Sequence, residues 1–345
     1  MARTYLAGLL FFFASIDNFG AFSQAAIVLL GVLCATVKIK KNLLYLFSLP
    51  CSILVFSAYC FDSYFVTIGF IFIKVLAVTF FFSTGMRFVS EVIKLSLFLH
   101  IGTGVFTYMI LLSPLAPIYT ELLLFDVSAL DAGLVGVRPI GFYDEPSTYG
   151  FSLLVHIFIL LIGEKNRVSG KLMAFPIITF STPVQLLSVL MLALRKQASG
   201  RLLILLLVLP ALLGVVLLQY STREEVFKFS PLALRTVHFI EFAKDPPYFY
   251  GRGFCSAYGQ YELELAKSDL RSLSMSSFKD AGQALFMADR VGLLLSLMFY
   301  IFIMRKLGIV KSSIFIAIYF VLKIPFYSFL ILTSLGAILT YEKRV

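Results

Sequence analysis

The chain has 345 residues, of which 60% are hydrophobic and 14% are charged, and its formal net charge is +10. Soluble globular proteins are roughly 45–50% apolar and about 25% charged, so this composition excludes a water-soluble enzyme or binding module. The mean hydropathy of +0.94 and the apolar runs that recur from end to end predict an all-α, polytopic membrane protein that forms one bundle over residues 1–345.

The positive charge is concentrated in short blocks between the apolar runs. These blocks are Lys38–Lys41, Lys165–Lys171, Arg195–Arg201, Arg305–Lys311 and Lys343–Arg344. Lys and Arg clustered beside apolar spans mark cytoplasmic loops. The charge therefore indicates membrane topology, and we expect no nucleic-acid partner.

The first apolar run follows Arg3 and extends from Leu6 to Ile16, as in a signal sequence. No small-x-small cleavage site follows it, and a second span begins at once. We therefore expect a retained first helix with a cytoplasmic N-terminus.

Apolar runs of spanning length continue along the chain. They lie near residues 5–18, 21–37, 43–60, 63–82, 88–112, 147–163, 202–219 and 281–304. Two further stretches, 172–194 and 312–340, have basic blocks at both ends, which requires an even number of crossings. Pro183 and Lys323–Pro325 lie near their middles and predict Pro-turned helical hairpins. The total is about 12 crossings with both termini cytoplasmic.

This topology places two long segments, 113–146 and 220–280, at the outer (periplasmic) face. The first contains five acidic residues and a single cation, Arg138. Binding and catalytic residues lie disproportionately on loops, so we expect one outer-face site built from both segments. The sequence shows no internal repeat, which disfavours the repeat-built transporter folds.

The sharpest local pattern runs from Arg138 to Gly150. Pro146 suits the first position of a helix, and the N–H groups of that helix end, together with its positive dipole, favour phosphate. Arg138 can bind two phosphate oxygens with its planar fork. Glu145 is placed to accept a proton. The alternative is that Asp144 and Glu145 only cap the helix and pair with Arg138.

A second pattern lies in the later outer segment. Residues 231–244 can form an amphipathic helix on which Arg235 and His238 share one face. Pro246 ends that helix, and Gly251-Arg252-Gly253 allows close approach of backbone to a ligand. The alternative is a helix that lies on the membrane surface, with its basic residues at lipid headgroups.

Histidine and cysteine give little further indication of a site. His100 and His156 lie within spans, where an ionisable side chain is a functional candidate; the alternative is a neutral histidine bonded to a backbone carbonyl. The four cysteines have no metal-ligand spacing and no Asp-x-Asp occurs. We therefore expect neither a disulfide framework nor a metal-dependent sugar-nucleotide site.

The residues Arg-x-x-Gly-x-x-x-Glu-Pro-Ser-x-x-Gly, ungapped from Arg138 to Gly150, resemble the motif of the bacterial O-antigen and capsule polymerases of the Wzy type. Arg235, Pro246 or Pro247, and Gly251-Arg252-Gly253 more loosely resemble a second motif of these polymerases and of the related O-antigen ligases. The resemblance outside the motifs is one of hydropathy only, although it extends over nearly the whole chain.

The resemblance implies a glycosyltransferase of the GT-C superfamily in the bacterial inner membrane. Such an enzyme transfers a growing glycan from undecaprenyl pyrophosphate to a sugar hydroxyl on the next lipid-linked repeat unit. No cofactor or metal is implied, since the pyrophosphate leaving group is already activated. The implied partners are the lipid-linked donor and acceptor, membrane lipid and a polysaccharide chain-length regulator.

Roles for individual residues follow from the two motifs. Arg138, Arg235 and Arg252 are expected to bind the donor pyrophosphate, with Glu145 or His238 as general base. Many relatives have a His-Asn pair late in the second loop, and no histidine follows Gly253 here, which leaves both candidates open. Supporting positions are Gly141, Asp144, Pro146, Ser147, Gly251 and Gly253.

Three other functions compete with the polymerase. An O-antigen ligase performs the same chemistry with lipid A–core as acceptor. A flippase or transporter for the lipid-linked unit predicts charges at the midplane of the spans, whereas most charge in this sequence lies outside them. A scaffold for an assembly complex would not require the arrangement of Arg138, Glu145 and Pro146.

Overall fold

A computed structural model describes residues 1–16, 20–35, 38–51, 61–115, 141–143, 146–163, 168–179, 181–195, 242, 246, 249, 283–321 and 328–341. The regular structure within these ranges is entirely helical, which confirms the all-α prediction for the described residues. The chain divides into two compact units. Unit 1 comprises Met1–Pro50, Val66–Leu192 and Tyr327–Val345, and unit 2 comprises Cys51–Phe65 and Ala193–Phe326.

The described residues form α-helices and two 3-10 helices. In chain order they are α1 (Ala2–Ala14), α2 (Ala21–Cys34), a 3-10 helix (Lys41–Phe47), α3 (Phe61–Ser83), α4 (Met86–Leu111), α5 (Pro146–Gly163), α6 (Gly170–Ala174), a second 3-10 helix (Phe175–Thr179), α7 (Thr182–Arg195), α8 (Gln283–Val291), α9 (Leu293–Leu307), α10 (Ile309–Val321) and α11 (Phe329–Thr340).

Five predicted spans correspond to single helices. Helices α1 to α5 match the spans predicted near 5–18, 21–37, 63–82, 88–112 and 147–163. The span 43–60 begins as the first 3-10 helix, and residues 52–60 lie outside the described part. The span 202–219 lies entirely outside it.

The prediction of one continuous helix over residues 281–304 is wrong. The stretch is divided at Gly292, whose φ of +98° separates α8 from α9. Backbone of this kind is readily adopted only by glycine. The apolar composition on both sides of Gly292 conceals this break in the sequence.

The two stretches predicted as Pro-turned hairpins are each divided into shorter helices. In 172–194 the division falls at residues 180–181, and Pro183 lies in the first turn of α7, where its missing N–H is tolerated. In 312–340 helices α10 and α11 flank residues 322–327, and Lys323–Pro325 lies outside the described residues.

Contacts near the helix ends show which ends of the helices in unit 1 lie next to one another. The guanidinium of Arg3 donates to the carbonyl of Leu33 at 2.8 Å and lies 5.6 Å from the ring centre of Phe88. The hydroxyl of Thr340 lies 3.5 Å from Met86 Sδ. The beginnings of α1 and α4 and the ends of α2 and α11 therefore meet at one end of unit 1.

Two more helices end at the same place. The backbone N–H of Lys40 donates to Ser83 Oγ at 3.4 Å, which places the end of α3 there. A Cβ added to Gly163 would lie 2.7 Å from Ser90 Oγ, which places the end of α5 there. We call this the basic end of unit 1, after the cations in its helix ends and connections: Arg3, Lys38, Lys40, Lys41 and Arg87.

The core of unit 1 forms around α1 and α5. Helix α1 packs against α2 and α4, and α5 packs against α4 and α11. The ring of Phe11 is fully buried and lies 5.4 Å from Phe81 and 5.2 Å from Phe329, measured between ring centres. Residues 149–162 of α5 are buried on every side, as expected for a helix that is apolar all round.

Unit 2 is described through α8, α9 and α10, which pack against one another. Tyr319 of α10 is 2% exposed, stacks on Phe315 at 5.5 Å and donates to Met287 Sδ at 3.6 Å. The opposite side of α9 presents large apolar side chains to the outside. These are Leu293, Leu294, Leu295, Leu297, Met298, Ile301, Phe302 and Met304.

Candidate functional site

The predicted site residues fall into two groups. Gly141 is described, and the backbone of Pro146 and Ser147 is described as the first turn of α5. The remaining eight lie outside the described residues: Arg138, Asp144, Glu145, Arg235, His238, Gly251, Arg252 and Gly253. Their predicted roles as pyrophosphate-binding, catalytic or supporting residues stay predictions.

The predicted helix start is confirmed. Helix α5 begins at Pro146 and ends at Gly163. Because Gly163 lies at the basic end, Pro146 lies at the opposite end of unit 1. An N-terminus of this kind presents unpaired N–H groups to whatever lies beyond it.

Gly141 has two structural reasons to be glycine. Its φ of +58° is in the left-handed region, which residues with a Cβ adopt at a cost of about 1–2 kcal/mol. A Cβ added there would also lie 3.1 Å from Cδ2 and Cε2 of Tyr149. The turn that leads toward α5 therefore presses directly onto the Tyr149 ring.

Tyr149 fastens α5 to α4. Its side chain is fully buried, and its hydroxyl donates to the backbone carbonyl of His100 at 2.9 Å. The ring occupies the space left by Gly104, where an added Cβ would approach Tyr149 Cζ to 2.5 Å. Tyr149 is thus held between Gly104 on one helix and Gly141 in the turn.

Gly150 lies where α5 packs against α7 and the second 3-10 helix. A Cβ added there would lie 2.8 Å from both methyl groups of Val184 and 3.0 Å from Thr179 Oγ1. The last glycine of the motif therefore lets α5 approach α7 and the second 3-10 helix.

Tyr143 connects the turn at 141–143 to α5 and to the residue that follows α1. It is 2% exposed, and its hydroxyl donates to Ser152 Oγ on α5 at 2.7 Å. The carbonyl oxygen of Ser15, just after α1, lies 3.3 Å from the same hydroxyl. The ring centre of Tyr143 is 5.8 Å from that of His100 and 6.0 Å from that of Tyr149.

His156 is a neutral histidine bonded to a backbone carbonyl, as the second interpretation of the sequence predicted. Its Nδ1 lies 2.7 Å from the carbonyl oxygen of Ser152, and a carbonyl can only accept. Nδ1 therefore has the proton, and Nε2 accepts from the hydroxyl of Ser96 at 3.0 Å. These partners assign its tautomer.

His100 has the opposite tautomer. Its Nε2 lies 2.8 Å from Ser15 Oγ, and the Ser15 hydroxyl proton is donated to the carbonyl of Phe12 at 2.6 Å. Nε2–H must therefore donate to Ser15, which leaves Nδ1 as an acceptor. Nδ1 is buried and has no hydrogen-bond partner among the described residues. The rings of His100 and His156 meet edge to face, with centres 4.9 Å apart.

These side chains form one polar cluster inside unit 1, next to the start of α5. Its members are Ser15, Ser96, His100, Tyr143, Tyr149, Ser152 and His156, and each is at most 3% exposed. The cluster links α1, α4 and α5 to the turn at 141–143. Because these side chains are buried, they cannot exchange protons with solvent. Their hydrogen bonds can hold the turn at 141–143 in a fixed position.

Sequence reasoning gave no role to Tyr143 or Tyr149. A signal was present, because both tyrosines lie between the two motif glycines, and a buried tyrosine hydroxyl usually finds a hydrogen-bond partner. Two histidines in neighbouring spans supplied the complementary polar groups. The pairing of these residues depends on the helix packing, which sequence spacing does not reveal.

A second unpredicted feature is a buried pair of opposite charges in unit 2. Asp289 and Arg290 near the end of α8 are each 2% exposed, and Arg290 Nε lies 3.6 Å from Asp289 Oδ2. Adjacent opposite charges within an apolar run, two and three residues before Gly292, were the available signal. Ionisable residues in such runs are functional candidates.

Comparison of the chain with protein-family models, with curated proteins and with solved structures finds no match.

Proposed function

We propose that this protein is a polysaccharide polymerase of the Wzy type: a membrane glycosyltransferase with about 12 spans and a GT-C architecture. It extends a glycan on undecaprenyl pyrophosphate at the periplasmic face of the bacterial inner membrane. The observation that carries this proposal is the placement of the motif Arg138–Gly150. Its proline opens α5, Gly141 places the preceding turn against Tyr149, and Gly150 lets α5 approach α7 and the second 3-10 helix.

The exposed apolar surface supports a membrane location. Helix α4 has 26 residues and is the one helix among the described residues that is long and apolar enough to cross a membrane. Only 33% of its most apolar window is buried, whereas the core helix of a soluble protein would be mostly buried. Its outward side chains include Phe98, Val105, Phe106 and Met109, and apolar patches of this kind mark contact surfaces.

The distribution of charge supports the orientation. The basic end of unit 1 collects cations from the start of α1, from the segment after α2 and from the start of α4. Under the positive-inside rule this end faces the cytoplasm, so the start of α5 faces the periplasm. The acidic segment 113–146 then lies on the periplasmic side.

The proposed chemistry is a displacement at the anomeric carbon of the donor sugar. Arg138, Arg235 and Arg252 bind the pyrophosphate and stabilise the negative charge that develops as its bond to the sugar breaks. The acceptor hydroxyl forms the new glycosidic bond and transfers its proton to Glu145 or His238. The products are the lengthened glycan on the acceptor lipid and free undecaprenyl pyrophosphate. A separate chain-length regulator is the proposed protein partner.

The test is deletion of the gene in its host, followed by separation of the surface polysaccharide on a gel. We expect the ladder to collapse to core plus one repeat unit. Core without any repeat contradicts the polymerase. Undecaprenyl-linked polymer that accumulates at the outer face would then identify a ligase, and its absence would point to a flippase.

Complementation of the deletion strain tests the motif itself. The Arg138→Ala variant should fail to restore the ladder although the protein is present in the membrane at the normal level. Gly102→Ala is the matched control, because a Cβ at Gly102 meets nothing within 4 Å. A normal ladder with Arg138→Ala would overturn the assignment of Arg138.

A further inference from the structure

The polar cluster is continuous with the motif. Tyr143 belongs to the turn that follows Arg138, and its hydroxyl is bonded inside the cluster at Ser152. Tyr149 lies under Gly141 and is bonded to the His100 carbonyl. The Ser15 carbonyl lies 3.3 Å from the Tyr143 hydroxyl, and the Tyr149 hydroxyl donates to the His100 carbonyl, so a shift of either backbone segment would move the tyrosine bonded to it.

We propose that His100 is a positioning residue for the motif. Its imidazole donates to Ser15 and packs beside the ring of Tyr143, with ring centres 5.8 Å apart, so that the turn at 141–143 is kept in one place next to the start of α5. The consequence for catalysis depends on the polymerase function proposed above, whereas the consequence for the order of the segment does not.

The chemistry of the cluster favours positioning over a role in packing alone. Seven polar side chains lie in a region otherwise filled by Phe, Leu and Ile, and buried polar groups lower stability unless they are hydrogen-bonded. His100 Nδ1 has no such bond among the described residues. Apolar residues of similar volume would avoid this loss of stability. Buried polar networks of this kind specify one arrangement, and supporting groups of this kind hold functional residues in place.

The tautomer of His100 shows which group its side chain contributes, namely an N–H donor at Nε2. Nε2–H donates to Ser15 Oγ, and proton exchange with the outside is blocked because the residue is 1% exposed. Glutamine places an N–H donor at nearly the same distance from the backbone. His100→Gln should therefore preserve the arrangement, whereas His100→Leu removes the donor.

Segment order is measured first, by amide hydrogen exchange of the purified full-length protein in lipid nanodiscs. We expect faster exchange in residues 138–145 for His100→Leu and for Tyr143→Phe, and wild-type exchange for His100→Gln. Tyr143→Phe keeps the ring, so it tests the hydroxyl even if His100→Leu fails to fold. Tyr319→Phe is the matched control, because it removes a buried tyrosine hydroxyl in unit 2 that donates to Met287 Sδ.

Activity is measured next, with lipid-linked repeat units as donor and acceptor. We expect kcat for Tyr143→Phe to fall on the order of 100-fold, the loss that a displacement of about 1 Å can cause, and His100→Gln to remain active. Unchanged exchange in 138–145 for a folded His100→Leu variant would overturn the positioning role, and so would unchanged exchange for Tyr143→Phe if His100→Leu fails to fold. Loss of activity in His100→Gln with normal exchange would also overturn it, because the imidazole would then act chemically. An inactive wild-type protein would contradict the polymerase function and leave the exchange result standing.

Discussion

The side chain of Tyr149 fills the space that Gly104 leaves on the neighbouring helix, and its hydroxyl donates to the carbonyl of His100 at 2.9 Å. One motif residue is thereby packed into α4 and hydrogen-bonded to it at the same time. The close approach of α4 and α5 depends on a glycine that lies outside the motif.

Gly104→Ala should destabilise the protein. The added Cβ would approach Tyr149 Cζ to 2.5 Å, and overpacking of this kind typically costs about 1–3 kcal/mol. Thermal unfolding in detergent measures the change. Gly102→Ala, two residues earlier on the same helix, meets nothing within 4 Å and should be neutral or slightly stabilising because alanine favours helix. Equal effects of the two variants would contradict the close packing of Tyr149 at Gly104.

Breaking the buried pair of Asp289 and Arg290 should be more harmful than removing both charges. Asp289→Leu or Arg290→Leu removes one member of a buried ion pair, and loss of one partner of a buried pair costs about 3–5 kcal/mol. The double variant Asp289→Leu/Arg290→Leu should be more stable than either single variant. Additive losses, measured by the same unfolding assay, would show that the two charges are not coupled.

Phe106 should face lipid. The chain contains no tryptophan, so each Phe→Trp variant reports on one site. The side chain of Phe106 on α4 is 59% exposed, whereas that of Phe158 on α5 is 1% exposed. In vesicles that contain brominated lipids we expect strong quenching of Phe106→Trp fluorescence and little quenching of Phe158→Trp. Quenching of Phe106→Trp by an aqueous quencher instead would contradict the membrane location.

Only one of Glu145→Gln and His238→Gln should behave as the loss of a general base. Removal of a positioned base lowers kcat by about 10²–10⁴-fold and leaves donor binding intact. Single-turnover rates and donor binding by the purified variants separate the two effects. Normal rates in both variants would remove both residues from the proton-transfer step.

Helix positions in unit 1 could be predicted from the sequence because hydropathy reports spans directly. The start of α5 was predicted to within a residue because proline favours the first helical turn. The break at Gly292 was missed, since apolar residues continue on both sides of it. A lone glycine in an apolar run does not distinguish close packing, as at Gly104, from a positive φ, as at Gly292.

The candidate site was less predictable than the fold. Gly141 was singled out as a supporting position, but its contact with Tyr149 depends on how α5 and the turn pack. The contact of Ser15 with His100 joins residues that are distant in sequence, and the bond from Tyr143 to Ser152 joins a turn to the middle of the helix that follows it. The distribution of charge along the sequence indicated where the outer loops lie. The residues that hold the turn at 141–143 in place are buried side chains, and this distribution does not reveal them.

The ring contact between Phe11 and Phe329, with centres 5.2 Å apart, joins the first helix of the chain to the last one described. Because α1 is synthesised before α11, unit 1 cannot complete its core until α11 has left the ribosome. A nascent chain that stops before α11 would leave one side of Phe11 without its native partner. A truncation that removes α11 should therefore disturb the packing of α1, a helix inserted much earlier.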